Sequence, residues 1–353
     1  MNCALFLTNL AGGGAERSML RLASVLQRRG HTVRLVLLED VVAHEIDSTV
    51  EVQALGTAIS KGAFGKWLGA RRLARFLARH RKNDLFVSTL PFADEVAVRA
   101  RAPNLWCRIT NTLSEEVNGL KGVGKRRRRM ARYRKIYGGA RLIAVSDGVA
   151  QDLRGPMGLS DARIVRIYNG FDVAALRSLS LERDPGIPRD PFVLHVGRFA
   201  RQKRHDVLLD AWKIAGLPMR LVLLSPPDPG LSRLIHERQL DSQVLVAGFR
   251  PNPYPWMKAA EMLVLSSERE GMPNVLVEAL ACGTRVVSTD CPSGPREVLR
   301  GALARGLVPV GDARALASAM RSALSTARPG PEDVPPEFSE ETMASAYEAL
   351  AHA

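Results

Sequence analysis

The regular alternation of short apolar runs with helical patterns is the feature that most constrains the fold of this chain. Alternating strands and helices predict parallel sheets with helices on both faces. In the first half the predicted strands are residues 4–8, 33–38, 85–88, 106–109, 142–145 and 164–167, and the clearest helices are residues 17–29 and 66–81. In the second half the predicted strands are residues 192–196, 221–224, 244–246, 262–265 and 285–288, and the helices are residues 206–214 and 274–281. The predicted fold class is therefore α/β, with two doubly wound domains in series.

Chain length supports the same division. A chain of 353 residues is long for one hydrophobic core. A turn-rich stretch at residues 169–191 has the composition of a linker, so we place the domains at residues 1–172 and 173–337. After a proline-rich stretch, residues 339–351 predict one more helix with Ser339 as its N-cap, and packing back against the first domain is one option for it.

The net charge of +14 lies entirely in the first half of the chain. Residues 1–172 contain 29 lysines and arginines against 15 acidic residues, whereas the remainder contains 21 of each. Residues 61–82 place apolar side chains at roughly helical spacing among basic residues, which predicts a basic amphipathic helix. These apolar residues are Phe64, Trp67, Leu68, Leu73, Phe76 and Leu77. Such a helix suits an anionic membrane surface, or it faces the core and solvates its arginines, and both interpretations stay open. Crowded like charge in the arginine run 126–129 favours a surface role.

Cysteine usage and hydropathy exclude several classes of protein. Cys3, Cys107, Cys282 and Cys291 form no C-x-x-C pair and no metal-ligand spacing, so we expect reduced thiols in a cytosolic protein and no metal site. The N-terminus lacks the features of a signal peptide, and no apolar run of about eighteen residues predicts a membrane span. Nucleic-acid binding is disfavoured because few aromatic residues interleave the basic runs.

A glycine-rich loop follows the first predicted strand. Gly12, Gly13 and Gly14 precede the first predicted helix, where backbone N–H groups can receive a phosphate or a sugar. The dinucleotide fingerprint requires glycine where Arg17 stands, which disfavours a nicotinamide or flavin cofactor. A tight turn that lets strand and helix pack closely is the alternative interpretation.

Two cations follow the first strand of the second domain. Arg198 and Lys203 lie at the predicted carboxyl end of that strand. Together they can neutralise a diphosphate, with arginine acting as a fork and lysine as a point charge. A solvated charged turn is the alternative for this segment alone, but a second polar loop at the same sheet edge favours a site.

Glu270 and Glu278 bracket the segment with the clearest chemistry. Pro273 fits the first turn of the helix at residues 274–281, so Glu270 lies just before a helix N-terminus and Glu278 lies further along that helix. A buried strand at residues 262–265 precedes this segment. A strand, a loop with a carboxylate and a helix in this order predict a ligand site at the carboxyl edge of an open sheet.

Taken together, these motifs resemble those of the retaining glycosyltransferases of family 4, which have the GT-B fold. The resemblance rests on the glycine loop before Arg17, on Arg198 with Lys203, and on the segment Glu270-Gly271-Met272-Pro273-Asn274 with Glu278. It implies two Rossmann-like domains that face each other across a cleft, with a nucleotide-sugar donor held mainly by the second and an acceptor met mainly by the first. It implies no metal and no cofactor. It also implies that the C-terminal helix, residues 338–353, crosses back to the first domain.

The resemblance assigns a role to each matching position. Catalysis is expected from Glu270, Arg198 and Lys203: the two cations bind the donor diphosphate, and Glu270 contacts the transferred sugar. Glu278 is expected to accept hydrogen bonds from the ribose hydroxyls. The remaining donor-binding positions are Gly271 and Met272, whose amides face sugar or phosphate, then Pro273 and Asn274, and finally Gly12, Gly13 and Gly14, which allow close approach of the first domain.

One position departs from the family pattern. Many relatives carry a histidine in an Arg-x-His arrangement after a strand of the first domain, whereas Thr110 stands there after Arg108. Neither His31 nor His195 replaces it, and both are expected to be structural. Retention through same-face attack needs no base beyond the departing phosphate, so activity is still expected, with the second domain carrying most of the chemistry.

The function that the resemblance implies is transfer of a hexose or N-acetylhexosamine from a nucleotide sugar, with UDP favoured over GDP. The expected acceptor is lipid-linked or a saccharide, in bacterial cell-surface polysaccharide synthesis. The basic first half further predicts a cytoplasmic enzyme bound peripherally to the anionic inner face of the plasma membrane. A UDP-sugar 2-epimerase of the same fold is the alternative, and a basic nucleic-acid-binding protein is a weaker one.

Overall fold

A computed structural model describes residues 1–11, 13–41, 50–80 and 82–352. Over these ranges the chain forms two compact units, each built on one parallel sheet. The N-terminal unit contains Met1–Gly170 and Glu337–Ala353, and the C-terminal unit contains Phe171–Pro336. None of the described helices is both long enough and apolar enough to span a bilayer.

The N-terminal unit has seven parallel strands in its described part. Its strands are β1 (Asn2–Leu7), β2 (Thr32–Leu37), β3 (Glu51–Ala54), β4 (Leu85–Thr89), β5 (Leu105–Ile109), β6 (Arg141–Ala144) and β7 (Arg163–Arg166). Its helices are α1 (Gly14–Arg28), α2 (Ala63–Arg79), α3 (Pro91–Arg99), α4 (Leu113–Asn118), α5 (Val123–Tyr137), α6 (Asp147–Arg154) and α14 (Glu340–Leu350). The strand order is β3-β2-β1-β4-β5-β6-β7, so the order reverses between β1 and β4, where open α/β sheets bind ligands.

The C-terminal unit repeats this plan with six strands. Its strands are β8 (Phe192–Val196), β9 (Arg220–Leu224), β10 (Val244–Val246), β11 (Met262–Leu265), β12 (Arg285–Thr289) and β13 (Leu307–Val308). Its helices are α7 (Val173–Leu179), α8 (His205–Ala215), α9 (Pro229–Glu237), α10 (Tyr254–Ala259), α11 (Asn274–Ala281), α12 (Pro295–Val298) and α13 (Ala313–Ala323). The order is β10-β9-β8-β11-β12-β13, and the reversal point lies between β8 and β11.

Alternating side chains build a core on each face of the N-terminal sheet. Leu5 and Val87 pack with α1 on one face, whereas Phe6 and Phe86 pack with α2 and α3 on the other. This arrangement follows from the two-residue period of a strand. The predicted α/β class with two doubly wound, Rossmann-like units is therefore confirmed.

The C-terminal helix α14 belongs to the N-terminal unit. Met343, Ala344 and Tyr347 lie in the core cluster that α1 also lines. Ser339 caps the helix, because its hydroxyl accepts a hydrogen bond from the Thr342 amide at 3.1 Å. The predicted return of this helix to the first domain is confirmed.

Several elements were not predicted from the sequence, among them helices α9 and α13, and three further differences have a clear physical reason. The edge strand β3 was missed because its residues are only half-buried and form no apolar run. Strand β13 was missed because it has two residues. The stretch predicted to be a linker contains α7, which Asp172 caps by accepting from the Ala175 amide at 2.8 Å.

The predicted basic helix at residues 61–82 is present as α2. One side of it faces the core and the other side is exposed, so each of the two interpretations describes one side of the helix. Leu73 and Phe76 are buried in the core, while Phe64 and Trp67 are 70% and 48% exposed. The helix therefore faces the core along one side, where Gly65 and Gly69 are also buried, and leaves two aromatic rings exposed on the opposite side.

Candidate active site

Two loops meet at the carboxyl edge of the C-terminal sheet, where the strand order reverses. Strands β8 and β11 are parallel neighbours, so the loops that follow them are adjacent. Three hydrogen bonds join these loops: the Glu268 amide donates to the Gln202 carbonyl at 2.8 Å, the Gln202 side chain donates to the Arg269 carbonyl at 2.8 Å, and the Ser266 hydroxyl donates to the Lys203 carbonyl at 2.7 Å.

Lys203 and Glu270 form an ion pair across these loops. Lys203 Nζ lies 2.7 Å from Glu270 Oε1, and the Ser267 hydroxyl donates to the same oxygen at 2.7 Å. Glu270 is only 7% exposed, and a buried carboxylate is costly unless charged or hydrogen-bonded partners surround it. Two side chains that the sequence assigns to the donor site are thus brought into direct contact.

Arg198 is not part of this contact. Its side chain is exposed and makes no ion pair or hydrogen bond with the described residues. A guanidinium in water at the end of β8 is available to an incoming anion, because nothing has to be displaced first. The structure therefore leaves Arg198 separate from the Lys203 and Glu270 pair.

The segment from Glu270 to Asn274 leads into α11 as the sequence predicts, with one difference. Helix α11 begins at Asn274, and Pro273 occupies the N-cap position with φ of −79° instead of the first turn. Gly271 and Met272 are buried between Glu270 and the helix. Glu270 and Gly271 therefore lie just before a helix N-terminus, where amide groups favour negative charge.

Glu278 lies on α11 and is 2% exposed. It contributes to the raised pKa of Cys282, although burial is the larger cause, and that pKa reaches about 12. A carboxylate is an acceptor-only group, and vicinal hydroxyls of a ligand are donors of the kind it can accept from.

A third loop at this edge was missed by the sequence analysis. The Glu270 amide donates to the Pro292 carbonyl at 3.3 Å. Gly294 has φ of +101°, and a Cβ atom there would lie 2.3 Å from Pro273 Cδ. The signal that could have identified this loop is the turn sequence Pro292-Ser293-Gly294-Pro295, which closely follows a predicted strand.

The glycine loop of the N-terminal unit is described only in part, because Gly12 lies outside the described residues. Gly13 is the N-cap of α1 in an extended conformation, and Gly14 is the first residue of that helix. A Cβ atom on Gly13 would meet only the flexible end of Glu16, so the backbone there does not require glycine. The role of this loop in donor approach stays a prediction.

Two residues near the family histidine position have structural contacts. Arg108 is 3% exposed and donates from Nη2 to Asn169 Oδ1 at 2.5 Å. Thr110 follows β5 directly and is half-buried. The Arg108 contact links the end of β5 to residues beyond β7.

The histidine of β8 is also held in place. His195 is fully buried and its Nδ1 lies 2.9 Å from the Val264 carbonyl oxygen on β11. Burial, followed by the nearby charges of His205 and Lys203, lowers its pKa well below the usual value. A neutral ring that donates to a neighbouring strand agrees with the structural role expected for His195.

Comparison with known proteins identifies the family. A model described as Glycosyltransferase Family 4 matches residues 12–175, and one described as Glycosyl transferases group 1 matches residues 190–326. The N-acetylgalactosamine-N,N'-diacetylbacillosaminyl-diphospho-undecaprenol 4-alpha-N-acetylgalactosaminyltransferase of Campylobacter jejuni is 30% identical over 305 residues, which cover 83% of this chain and 82% of that protein. The chain belongs to glycosyltransferase family 4.

A second relative of this family 4 glycosyltransferase and a solved structure support the same family and fold. The lipopolysaccharide core biosynthesis glycosyltransferase LpsE of Rhizobium meliloti is 28% identical over 218 residues, 58% of this chain and 62% of that protein. Anabaena HepE, solved in complex with UDP-glucose, superposes with a TM-score of 0.75 at 19% identity and covers 99% of this chain and 100% of its own, which shows the GT-B fold. The predicted assignment to the glycosyltransferases is confirmed.

Across the described ranges, no group of three or more histidine, cysteine or acidic side chains is arranged to hold a metal ion. The expectation that transfer requires no metal stays a prediction.

Proposed function

We propose that this family 4 glycosyltransferase transfers a hexose or N-acetylhexosamine, with retention of anomeric configuration, from a UDP-sugar to a lipid-linked or saccharide acceptor. The proposed setting is bacterial cell-surface polysaccharide synthesis. The observation that supports it most is the contact of Lys203 Nζ with Glu270 Oε1 at 2.7 Å, at the ligand-binding edge of the C-terminal sheet. The names of two similar proteins add support: one is an N-acetylgalactosaminyltransferase named for a diphospho-undecaprenol acceptor, and the other was solved with UDP-glucose.

In this proposal the cations act on the leaving group. Negative charge builds on the diphosphate as the glycosidic bond to the donor breaks, so cations placed there stabilise the transition state more than the ground state. Lys203 has three N–H donors and can keep Glu270 while it binds a phosphate oxygen. Arg198 is exposed and can close onto the diphosphate from solvent.

The carboxylates act on hydroxyl groups. Glu270 accepts hydrogen bonds from the transferred sugar, and the Ser267 hydroxyl orients that carboxylate from 2.7 Å. Glu278 accepts from the ribose. No metal and no cofactor takes part in this proposal, because Arg198, Lys203 and the N-terminal amides of α11 supply the positive charge, and the departing phosphate accepts the acceptor proton.

We also propose that the enzyme works in the cytoplasm, bound peripherally to the inner face of the plasma membrane. The excess of basic residues in residues 1–172 supports this location, since the cytoplasmic leaflet carries anionic lipids. A lipid-linked acceptor would be met at that surface.

A donor panel tests the proposal. The purified full chain is incubated with UDP- and GDP-sugars and a diphospholipid-linked saccharide, and products are followed by proton NMR. We expect one UDP-sugar to be consumed and a new glycoside to form with the anomeric configuration of the donor. If the folded protein neither binds nor turns over any donor, the proposal is wrong, and acceptor-independent inversion at C2 would instead establish an epimerase.

A further inference from the structure

Helix α2 exposes two large aromatic side chains beside a buried apolar face. Phe64 and Trp67 are 70% and 48% exposed, and their rings stack with centroids 5.7 Å apart. Leu73 and Phe76 of the same helix are buried in the core. Core packing of α2 is therefore complete without the two rings, which form a separate apolar contact surface.

The exposed side of α2 continues from these rings into cations. Phe64, Trp67, Arg71 and Arg75 are all exposed and follow the spacing of one helix face. The guanidinium of Arg71 lies 4.8 Å from the centroid of the Trp67 ring. Aromatic rings at one end and arginines further along give this face the amphipathic character of an interfacial helix.

Helix α5 carries a second basic stripe, and Glu95 on α3 connects it to α2. Arg132 of that stripe lies 2.6 Å from Glu95 Oε2, and Lys66 of α2 lies 3.0 Å from the same oxygen. Arg132 is half-buried, and the exposed members of the stripe are Lys125, Arg128 and Lys135. Because one carboxylate bonds both helices, the exposed sides of α2 and α5 belong to one continuous surface.

Helices α2 and α5 each carry charge of one sign. Neither α2 nor α5 contains an acidic residue. Val123 at the start of α5 adds a third exposed apolar side chain, with 71% exposure. Three exposed apolar groups among the exposed cations Arg71, Arg75, Lys125, Arg128 and Lys135 complement a partner that is anionic at its surface and apolar just beneath it.

Both helices present their apolar ends at the same edge of the sheet. Helix α2 follows β3, and a helix that follows a strand of a parallel sheet begins at the carboxyl edge. Helix α5 ends just before β6, so its C-terminus lies toward the amino edge of the sheet. Its first residue, Val123, lies about 22 Å back along the helix axis, toward the carboxyl edge. The glycine loop after β1 opens at this edge as well.

We propose that Phe64, Trp67, Arg71, Arg75, Val123, Lys125, Arg128 and Lys135, here called the aromatic-basic face, form the surface that binds an anionic lipid bilayer. The apolar side chains enter the headgroup region, and the cations lie over lipid phosphates. This inference rests on the proposed membrane-associated transferase and deepens it by naming the contact surface. It also aims the carboxyl edge of the N-terminal sheet at the bilayer that would hold a lipid-linked acceptor.

Trp67 gives a direct readout in the unaltered protein. Trp106, Trp212 and Trp256 are at most 1% exposed, so a water-soluble quencher reaches Trp67 in preference to them. We expect phosphatidylglycerol-containing vesicles to protect the fluorescence from acrylamide, and phosphatidylcholine vesicles to leave quenching unchanged. Unchanged quenching under conditions where the protein sediments with anionic vesicles would overturn the inference.

Matched variants separate this face from general surface properties. Phe64→Ser with Trp67→Ser should weaken sedimentation with anionic vesicles by about tenfold or more, since apolar burial and charge add in interfacial binding. Leu181→Ser with Ile214→Ser is the control, because those side chains are 67% and 46% exposed in the C-terminal unit. Equal losses in the two pairs would contradict the inference.

Charge-removing variants test the contribution of the cations in the aromatic-basic face. Lys125→Gln, Arg128→Gln and Lys135→Gln together should weaken vesicle binding and flatten its salt dependence. The control changes three exposed arginines of the C-terminal unit by the same amount: Arg183→Gln, Arg189→Gln and Arg233→Gln. Tighter binding of the unaltered protein to duplex DNA than to anionic vesicles would also overturn the inference.

UDP titration of the same samples distinguishes this inference from the proposed function. Loss of vesicle binding with UDP affinity intact supports the aromatic-basic face. A protein that binds UDP but no anionic vesicle contradicts the face and leaves the transferase proposal standing. A protein that binds vesicles through this face but no nucleotide sugar contradicts the transferase proposal alone.

Discussion

Lys203 Nζ contacts Glu270 Oε1 at 2.7 Å, although 67 residues separate the two in the sequence. The contact bridges the loops after β8 and β11, and the Ser267 hydroxyl reaches the same carboxylate oxygen. A cation and an acceptor-only group are thereby fixed side by side at the ligand-binding edge of the C-terminal sheet.

Breaking this pair should cost stability as well as activity. Lys203→Met leaves the Glu270 carboxylate buried with one fewer partner, so we expect the free energy of unfolding to fall by about 1–3 kcal/mol. The double variant Lys203→Met with Glu270→Gln should recover part of the loss, because no unpaired charge remains. Denaturant unfolding measures both values, and a double variant no more stable than Lys203→Met contradicts the account.

The loop after β12 supports the site through Gly294. Its φ of +101° and the 2.3 Å approach of an added Cβ to Pro273 Cδ make Gly294→Ala both strained and crowded. We expect it to destabilise the protein by about 1–3 kcal/mol and to weaken UDP binding. Gly301→Ala is the control, since Gly301 has φ of +54° with nothing within 4 Å of an added Cβ. Titration calorimetry should show normal UDP affinity for the control, and equal affinity in both variants would argue against this role for Gly294.

Asp94 should make stability depend on pH. It is fully buried, and burial raises its pKa to about 7 although Ser88 and Tyr137 donate to its oxygens. The folded state then keeps the proton that the unfolded chain releases near pH 4, so the stabilisation is full below about pH 4 and is lost as pH rises through about 7. Asp94→Asn should flatten this slope in thermal unfolding measured from pH 4 to 8. The exposed control Asp161→Asn should keep it, and an Asp94→Asn profile parallel to the unaltered protein would refute the assignment.

Central strands and their helices were predictable from the sequence because they are buried on both sides. Strand β11 is an unbroken apolar run, β8 is interrupted only by His195, and α11 was bounded correctly at both ends. The edge strands were not predictable from the sequence, since the residues of β3 are only half-buried or exposed and β13 is very short. A local sequence pattern identifies a strand or helix only where burial requires a regular series of apolar residues.

The sequence predicted which strand ends form the site, but it did not predict which side chains contact each other there. The spacing placed Arg198, Lys203 and Glu270 at one sheet edge, yet of the two cations only Lys203 reaches Glu270, while Arg198 is exposed. Gly294 escaped notice because its constraint comes from Pro273, which is distant in the sequence. Helical periodicity places Phe64 and Trp67 on the opposite side of α2 from Leu73 and Phe76, but it could not tell which side meets the core, since that depends on how α2 packs in the fold.

Titration of UDP into the protein and into Glu278→Ala tests the central claim most directly, because Glu278 is the residue assigned to the nucleotide itself. A hydrogen bond to a charged group contributes about 1.5–3 kcal/mol, so we expect affinity to fall by about 10- to 150-fold. Thermal unfolding confirms that the variant is folded, and the exposed control Glu237→Ala should bind UDP normally. Unchanged UDP affinity in folded Glu278→Ala would contradict the assignment of the nucleotide to this edge of the C-terminal sheet.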